Sequence, residues 1–402
     1  MIHRKKNRNV AVIGVGQTKH SSHREDVNQP EMVHEAVRAA LDDAGLGMDA
    51  IDCIVHGNME LFEMIHQPDL WHELGTGAYG KSAFRLTTGG TTGTTLFCAA
   101  DSLVASGMYD VVMAIGFEKL QEGNTTAGIT NMADPLWSRN LQTGALTGTC
   151  AYDVIQEFGE ERAKRASMMY RIIMDKHAVL NPNSHRQFGL EFDQLEHLME
   201  SSAKLVGELR IIHMCSQSDG ACAVILASEE KAKKLSKKPV WVRDHITVHR
   251  EEAFNIMGYD SRYPIDKTHK VAARELLQRN GITNALEYFD VFEMYDPSSW
   301  WGLDWIRDFF LLKGDEHFRL VEDKEILIGG KMPINPSGGV VSTNAIGASA
   351  LVRVAEAALQ VMGAAEGGHQ VPRKVHNALA HGWGGLFQFV TLTIVGDTPA
   401  RR

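Results

Sequence analysis

Two stretches of this chain repeat the same succession of parts, and a chain that repeats an α/β unit is constrained to fold as two like halves. In the first stretch, Gly89-Gly90 precede a small-residue helix that runs from Leu96 and is closed by Gly107, and a buried strand follows from Tyr109 to Gly116. In the second, Gly338-Gly339 precede an alanine-rich segment, Ala348 to Met362, closed by Gly363, with a terminal strand from Phe389 to Val395. A further pair occurs in the same order: Arg38, Leu41, Gly45 and Leu46 match in spacing Arg274, Leu277, Gly281 and Ile282. The stripe Val33, Ala36, Val37, Ala40, Leu41 and Ala44 predicts a helix over 31–44, after a strand at Val10–Val15 and before one at Ile51–Val55. Alternation of this kind predicts an α/β fold with buried sheets.

The halves are separated by an insertion. From Gln121 to Gly148 the chain is rich in Gly, Thr and Asn, carries Trp137 and has little periodicity, which is the character of a functional cover. Amphipathic segments near Val154–Met174 and Phe192–Leu209 predict lid helices, and Ser218-Asp219-Gly220-Ala221 leads back into a strand. The expected division is an N-terminal half over 1–120 and 211–255, a lid over 121–210 and a C-terminal half over 256–402.

With 402 residues, 44% of them hydrophobic, the chain can bury a large core or two fused ones. A net charge of -9 with both signs scattered gives no basic stripe and argues against nucleic-acid binding. The five cysteines include no C-x-x-C pair, so neither a disulfide framework nor a zinc ribbon is encoded, and a cytoplasmic location is expected. His56, His66 and His72 lack metal-ligand spacing, and no metal site is expected. The basic run His3 to Arg8 precedes only a short apolar stretch and reads as a tail before the first strand; no segment is long enough for membrane insertion.

Four elements resemble the thiolase superfamily, particularly the sterol-carrier-protein-type thiolases: Leu86-Thr-Thr-Gly-Gly-Thr-Thr-Gly93 with its helix, Gly116-Phe-Glu-Lys-Leu120, Ser218-Asp-Gly-Ala221, and Asn335-Pro-Ser-Gly-Gly339. The resemblance covers nearly the whole chain. It implies a duplicated thiolase fold of five α-β-α-β-α layers with an inserted lid domain, a homodimer core, no bound cofactor, and coenzyme A as part of the substrate. It also implies a separate OB-fold subunit bearing a zinc ribbon, as relatives of this branch have.

Position by position, the resemblance places Gly90 where the nucleophilic cysteine stands, since Gly90 lies seventeen residues before Gly107. A thiolate there would be favoured by the helix N-terminus, and glycine cannot supply it. The amides of the loop at Gly90 and Thr91 can still hold a developing negative charge. Tyr295, followed by Asp296, occupies the His-Asp slot after the duplicated strand. In the turn that follows Gly339 the family histidine is absent and Asn344 or Ala345 takes its place; Asn344 reads either as an oxyanion donor or as a turn residue. His381, before the terminal glycine-rich turn, is the candidate titrating group. Trp300 and Trp301 read as core or interface by default, and as an aromatic wall for a bulky acyl group if the site is real.

With the cysteine gone, the resemblance points to the steroid side-chain aldolases, and so to a retro-aldol reaction, or its reverse, of a β-hydroxyacyl-CoA in lipid or aromatic degradation. Two alternatives stand beside it: a thiolase-type acyltransferase for a bulky 3-oxoacyl-CoA such as benzoylsuccinyl-CoA, and a non-catalytic subunit of a complex.

Overall fold

The structure is a computed structural model describing residues 7–60, 62–63, 65, 68–123, 143–249, 268–384 and 389–400; His66, Trp137 and most of the basic tail lie outside them. The first half comprises β1 (Val10–Gln17), α1 (Gln29–Ala44), β2 (Cys53–Gly57), α2 (Asp69–Thr76), β3 (Ser82–Arg85), α3 (Thr92–Ser106) and β4 (Val111–Lys119). After them come α4 (Thr143–Phe158), α5 (Glu160–Leu180), α6 (Leu195–Ser201) and the small hairpin β5 (Lys204–Val206) and β6 (Leu209–Arg210). The chain then returns through β7 (Asp219–Ser228) and α7 (Glu229–Leu235). The remainder comprises β8 (Val240–His249), α8 (Thr268–Arg279), β9 (Val291–Glu293), α9 (Ser299–Phe310), α10 (Glu316–Glu322), α11 (Ile346–Met362), β10 (Asn377–Gly384) and β11 (Phe389–Gly396).

Strand order makes the duplication explicit. The sheet runs β3-β2-β4-β7-β1-β8-β11-β10-β9, so the order β2-β4-β7-β1 is met again, reversed, in β8-β11-β10-β9. β2 lies parallel to β4, as β9 does to β10, and β4–β7 and β10–β11 are both antiparallel. The halves join where Ala11 pairs with Trp241 and Val12 with Val240. Helix ends repeat as well: Gly45 and Gly281 take left-handed φ values of 64° and 66°, and in each case the next amide bonds back at 2.9 Å, Leu46 to Leu41 and Ile282 to Leu277. A side chain at either glycine would meet the left-handed penalty, which is why the spacing was legible in sequence.

One boundary is corrected by the pairing. β8, assigned from sequence to the N-terminal half as part of 211–255, bonds along its length to β11 and reaches β1 at only two positions, so the second half begins at Val240 rather than 256.

Three apolar cores separate the layers. Val112 and Ala114 of β4 face α3 and α11 in a middle core that includes Leu96, Phe97, Leu351 and Ala355, while Val111, Met113 and Ile115 face α1. Leu379 and Leu392 of the second half face an aromatic core built by Trp301, Trp305 and Phe309 of α9 with residues of α5 and α8. Strand alternation therefore feeds two cores from each half of the nine-stranded sheet, giving helices outside, the two sheet halves, and α3 with α11 between them.

Candidate active site

The N-terminus of α3, where helix amides lack intrahelical acceptors, faces the second half. Its loop is held by its own threonines. Thr91 Oγ1 donates to the Thr88 carbonyl at 2.7 Å, Thr92 Oγ1 donates to the Gly89 carbonyl at 2.6 Å, and the Thr88 amide donates to Thr92 Oγ1 at 3.0 Å. The amides of Gly90 and Thr91 lie at this end of the helix, just before its first residue. Gly384 of β10 lies against both, since a Cβ there would come within 2.8 Å of either nitrogen.

Glycine at 90 is required by packing. A Cβ on Gly90 would stand 2.3 Å from the Trp383 carbonyl oxygen and 3.2 Å from the Tyr295 hydroxyl. The backbone of β10 thus closes the space a cysteine side chain needs, and the tyrosine hydroxyl has come to its edge. Introducing Gly90→Cys should force β10 aside at a cost of about 1–3 kcal/mol, the usual penalty of overpacking. Thermal melting should register that loss, and an intact-mass measurement after exposure to acetyl-CoA should show no acyl adduct on the new thiol.

Tyr295 is buried, and its hydroxyl donates to Asn344 Oδ1 at 3.3 Å. Asn344 Oδ1 also accepts from Ser349 Oγ at 2.9 Å, and its Nδ2 donates to Cys215 Sγ at 3.4 Å. Ser216 and Ser218 fix the Asn344 amide at 3.0 and 3.1 Å. Burial, reinforced by Cys215 and Glu118, pushes the Tyr295 phenol well above its usual range, so the hydroxyl keeps its proton. Tyr295, Asn344 and the Gly90-Thr91 loop therefore meet at one place.

Other predicted residues stand behind that place. Asp296 is buried; it accepts from Tyr170 Oη at 2.9 Å and from the Val340 amide at 2.7 Å, and burial raises its pKa to about 6. Gly339, at φ 70°, passes so close that a Cβ would lie 2.5 Å from Asp296 Oδ1. Asp296 thus pins the Gly338-Gly339 turn. His381 departs from the expectation of a titrating site group. Its ring lies in the aromatic core, 4.5 Å from that of Phe309 and 5.2 Å from that of His269. Burial and His269 hold its pKa well below the imidazole range, and its Nδ1 accepts the Tyr295 amide at 3.3 Å. Its place is that of a neutral support for Tyr295. Trp300 points away to His213 Nδ1, 3.0 Å off, whereas Trp301 stacks on Trp305 and adjoins Trp383, whose ring is 6.2 Å from that of Tyr295.

Three residues around the site escaped the sequence reading. Cys215 is half-buried beside Asn344 and Tyr295, and burial pushes its thiol up to about 11. Its position three residues before Ser218-Asp-Gly-Ala was the available signal. His185 and Arg186 come from the segment after α5: His185 Nδ1 lies 2.8 Å from Ser218 Oγ, and Arg186 Nη1 donates to the Met214 carbonyl at 2.8 Å. Among the described residues no group of His, Cys, Asp or Glu has metal-binding geometry, and no helix is long and apolar enough to cross a membrane.

Known proteins resemble this chain over nearly its whole length. Residues 263–397 match the thiolase C-terminal domain-like family. Sterol carrier protein 2 of Oryctolagus cuniculus is 30% identical over 417 residues, covering 97% of this chain and 73% of that protein. Acetyl-CoA acetyltransferase of Methanothermobacter thermautotrophicus is 29% identical, covering 94% and 97%. Among solved structures, an Ltp2-ChsH2(DUF35) aldolase superposes with a TM-score of 0.79 over 97% of this chain and 98% of that one, at 22% identity. The chain belongs to the thiolase superfamily, among its sterol-carrier-protein-2-type members.

Proposed function

We propose that this chain makes or breaks a carbon–carbon bond beside a CoA thioester by aldol chemistry, converting a β-hydroxyacyl-CoA to and from an acyl-CoA and an aldehyde or ketone. The observation that carries the reading is the Tyr295 hydroxyl at the edge of the space beside Gly90, where the backbone of β10 leaves no room for a cysteine. An acyl-enzyme route through position 90 has no atom to use, while proton transfer needs only the phenol.

In cleavage, the β-hydroxyl loses its proton, the bond between the α and β carbons breaks, and its electron pair passes into the thioester enolate. That enolate then takes a proton at its α carbon. The net change moves one proton from oxygen to carbon, which a protonated Tyr295 carries as a relay: its own proton passes to the α carbon as its oxygen takes the proton of the β-hydroxyl. In the addition direction the protonated Tyr295 delivers its proton to the new alkoxide while its oxygen takes the proton that leaves the α carbon, and burial favours the protonated form at the start and end of the relay. The amides of Gly90 and Thr91, at the N-terminus of α3, supply donors for the enolate oxygen. Trp383, with Trp301 behind it, offers an apolar wall to the acyl group.

Thiolase chemistry is the second reading, and Cys215 is its specific support, as a thiol next to Asn344. A thiol raised to about 11 holds little thiolate at neutral pH, which weighs against it. Incubation with acetyl-CoA followed by acid quench and intact-mass measurement separates the two. No adduct is expected, and an acetyl group on Cys215 would establish the thiolase route. For assembly we propose a homodimer core joined by a separate OB-fold zinc-ribbon chain, in line with the DUF35 chain that accompanies the similar aldolase; co-purification with native partners tests this.

A further inference from the structure

Arg186 lies half-buried next to the site with no carboxylate at ion-pair distance among the described residues. Its bonds are to carbonyls: Nη1 to that of Met214 at 2.8 Å, and its amide to that of Ser342 at 3.0 Å. Burial lowers its pKa, and no acid opposes the shift, only Cys215. A second guanidinium, that of fully buried Arg171, feels the charge of Arg186. The carboxylate of Arg171 is Asp175, at 3.6 Å, and both Asp175 oxygens already accept the amides of Phe188 and Leu190. The neighbouring imidazole of His185 is held neutral by burial and by Arg186. Arg171 thus has the charges of Asp175 and Asp296 to answer its own, while Arg186 has no carboxylate at ion-pair distance among the described residues.

A half-buried cation without a counter-ion is costly, and such an arrangement fits an anion that arrives with the ligand. Carboxylates are the oxyanions a guanidinium fork holds best alongside phosphates. Location separates the two. Arg186 is bonded at Met214 and Ser342, and these residues lead directly to Cys215 and to Asn344, which touch each other and Tyr295. That is the reacting end of the site, whereas the pantetheine arm holds the CoA phosphates an arm's length from the thioester. We propose that the acyl-CoA substrate carries a second, free carboxylate on its acyl chain and that Arg186 binds it. The inference rests on the CoA reading above and names the class of acyl group.

The test is calorimetric binding of glutaryl-CoA, valeryl-CoA and free CoA to the full chain, since the first two share a chain length and differ in the terminal carboxylate. Wild type should bind glutaryl-CoA about 10–100-fold more tightly, the usual range for a hydrogen bond to a charged group. Arg186→Gln should abolish the preference and leave the valeryl-CoA affinity in place, and Arg186→Lys should keep part of it. Equal wild-type affinities for the two thioesters would overturn the proposal and leave the CoA reading intact. Equal weakening of all three ligands in Arg186→Gln would overturn it in favour of a phosphate contact. If neither thioester nor CoA binds, the CoA reading falls and the proposal with it. Should Arg186→Gln fail to fold, the wild-type comparison and Arg186→Lys decide the matter.

Discussion

Tyr295→Phe should lower the aldol rate by about 10²–10⁴-fold, the range that a positioned proton-transfer group supplies. The substitution removes one oxygen and keeps the ring against Val340, Ala350 and Trp383. Asn344 Oδ1 retains its bond from Ser349, so no buried acceptor is orphaned. Loss of folding is therefore expected to stay near the ~0.5–1.5 kcal/mol of one hydrogen bond, and the effect should fall on kcat with KM little changed. A rate within a few-fold of wild type would remove Tyr295 from the chemistry. His381→Gln provides a contrast. An amide oxygen can accept the Tyr295 backbone amide as Nδ1 does, so this variant should retain far more activity than Tyr295→Phe if His381 only supports the strand end.

The largest stability effect is expected at Arg353. Its Nη1 sits 2.6 Å from Glu293 Oε2, both side chains are buried, and Glu293 also accepts Ser337 Oγ at 2.6 Å. Glu293 ends β9 two residues before Tyr295, and Ser337 belongs to the turn that leads to Gly339, so the ion pair fastens the two segments that frame the site. Arg353→Met would leave a buried carboxylate without its partner, at a cost of about 3–5 kcal/mol. The loss should depend on pH. Burial, against the pull of Arg353, raises Glu293 to about 7. A carboxyl raised on folding contributes stability that is present below its unfolded value and lost as pH rises through the folded one. Without Arg353 the folded value climbs further, so urea unfolding should show a deficit that is constant up to about pH 7 and widens above it, where Glu293 of the wild type ionises beside Arg353 while that of the variant stays protonated. The double variant Arg353→Met with Glu293→Gln should recover part of it. A deficit equal at pH 5 and 8 would contradict the buried-charge explanation.

Much of the fold was legible because duplication leaves marks that local chemistry enforces. Gly45, Gly281, Gly107 and Gly363 close four helices in left-handed conformations that other residues resist, and their spacing in sequence survives in the structure. The boundary at β8 was not legible, because a strand's partner is a matter of tertiary pairing. The position of Tyr295 came from the resemblance alone, and the structure adds why it is there: the space at Gly90 is closed by Trp383. His381 went astray through strand parity. Ala380 belongs to the middle core and Gly382 lies against Thr94 of α3, so His381 and Trp383 must face the aromatic core; no one-dimensional signal says which set faces which. Trp300 and Trp301, adjacent on α9, diverge for the like reason that neighbours on a helix point about 100° apart. Cys215 and Arg186 went unread because a lone cysteine and a lone arginine in loops carry no periodicity, and only the folded lid brings them together.

The central claim is that this scaffold performs aldol chemistry without an acyl-cysteine. The direct measurement is incubation of the chain, with any co-purifying partner, with an acyl-CoA and either an aldehyde or a second acyl-CoA, following thioesters and free CoA by mass spectrometry. The account predicts a new hydroxyacyl-CoA from the aldehyde with no release of CoA. A 3-oxoacyl-CoA formed from two thioesters, with one equivalent of CoA released, would contradict it.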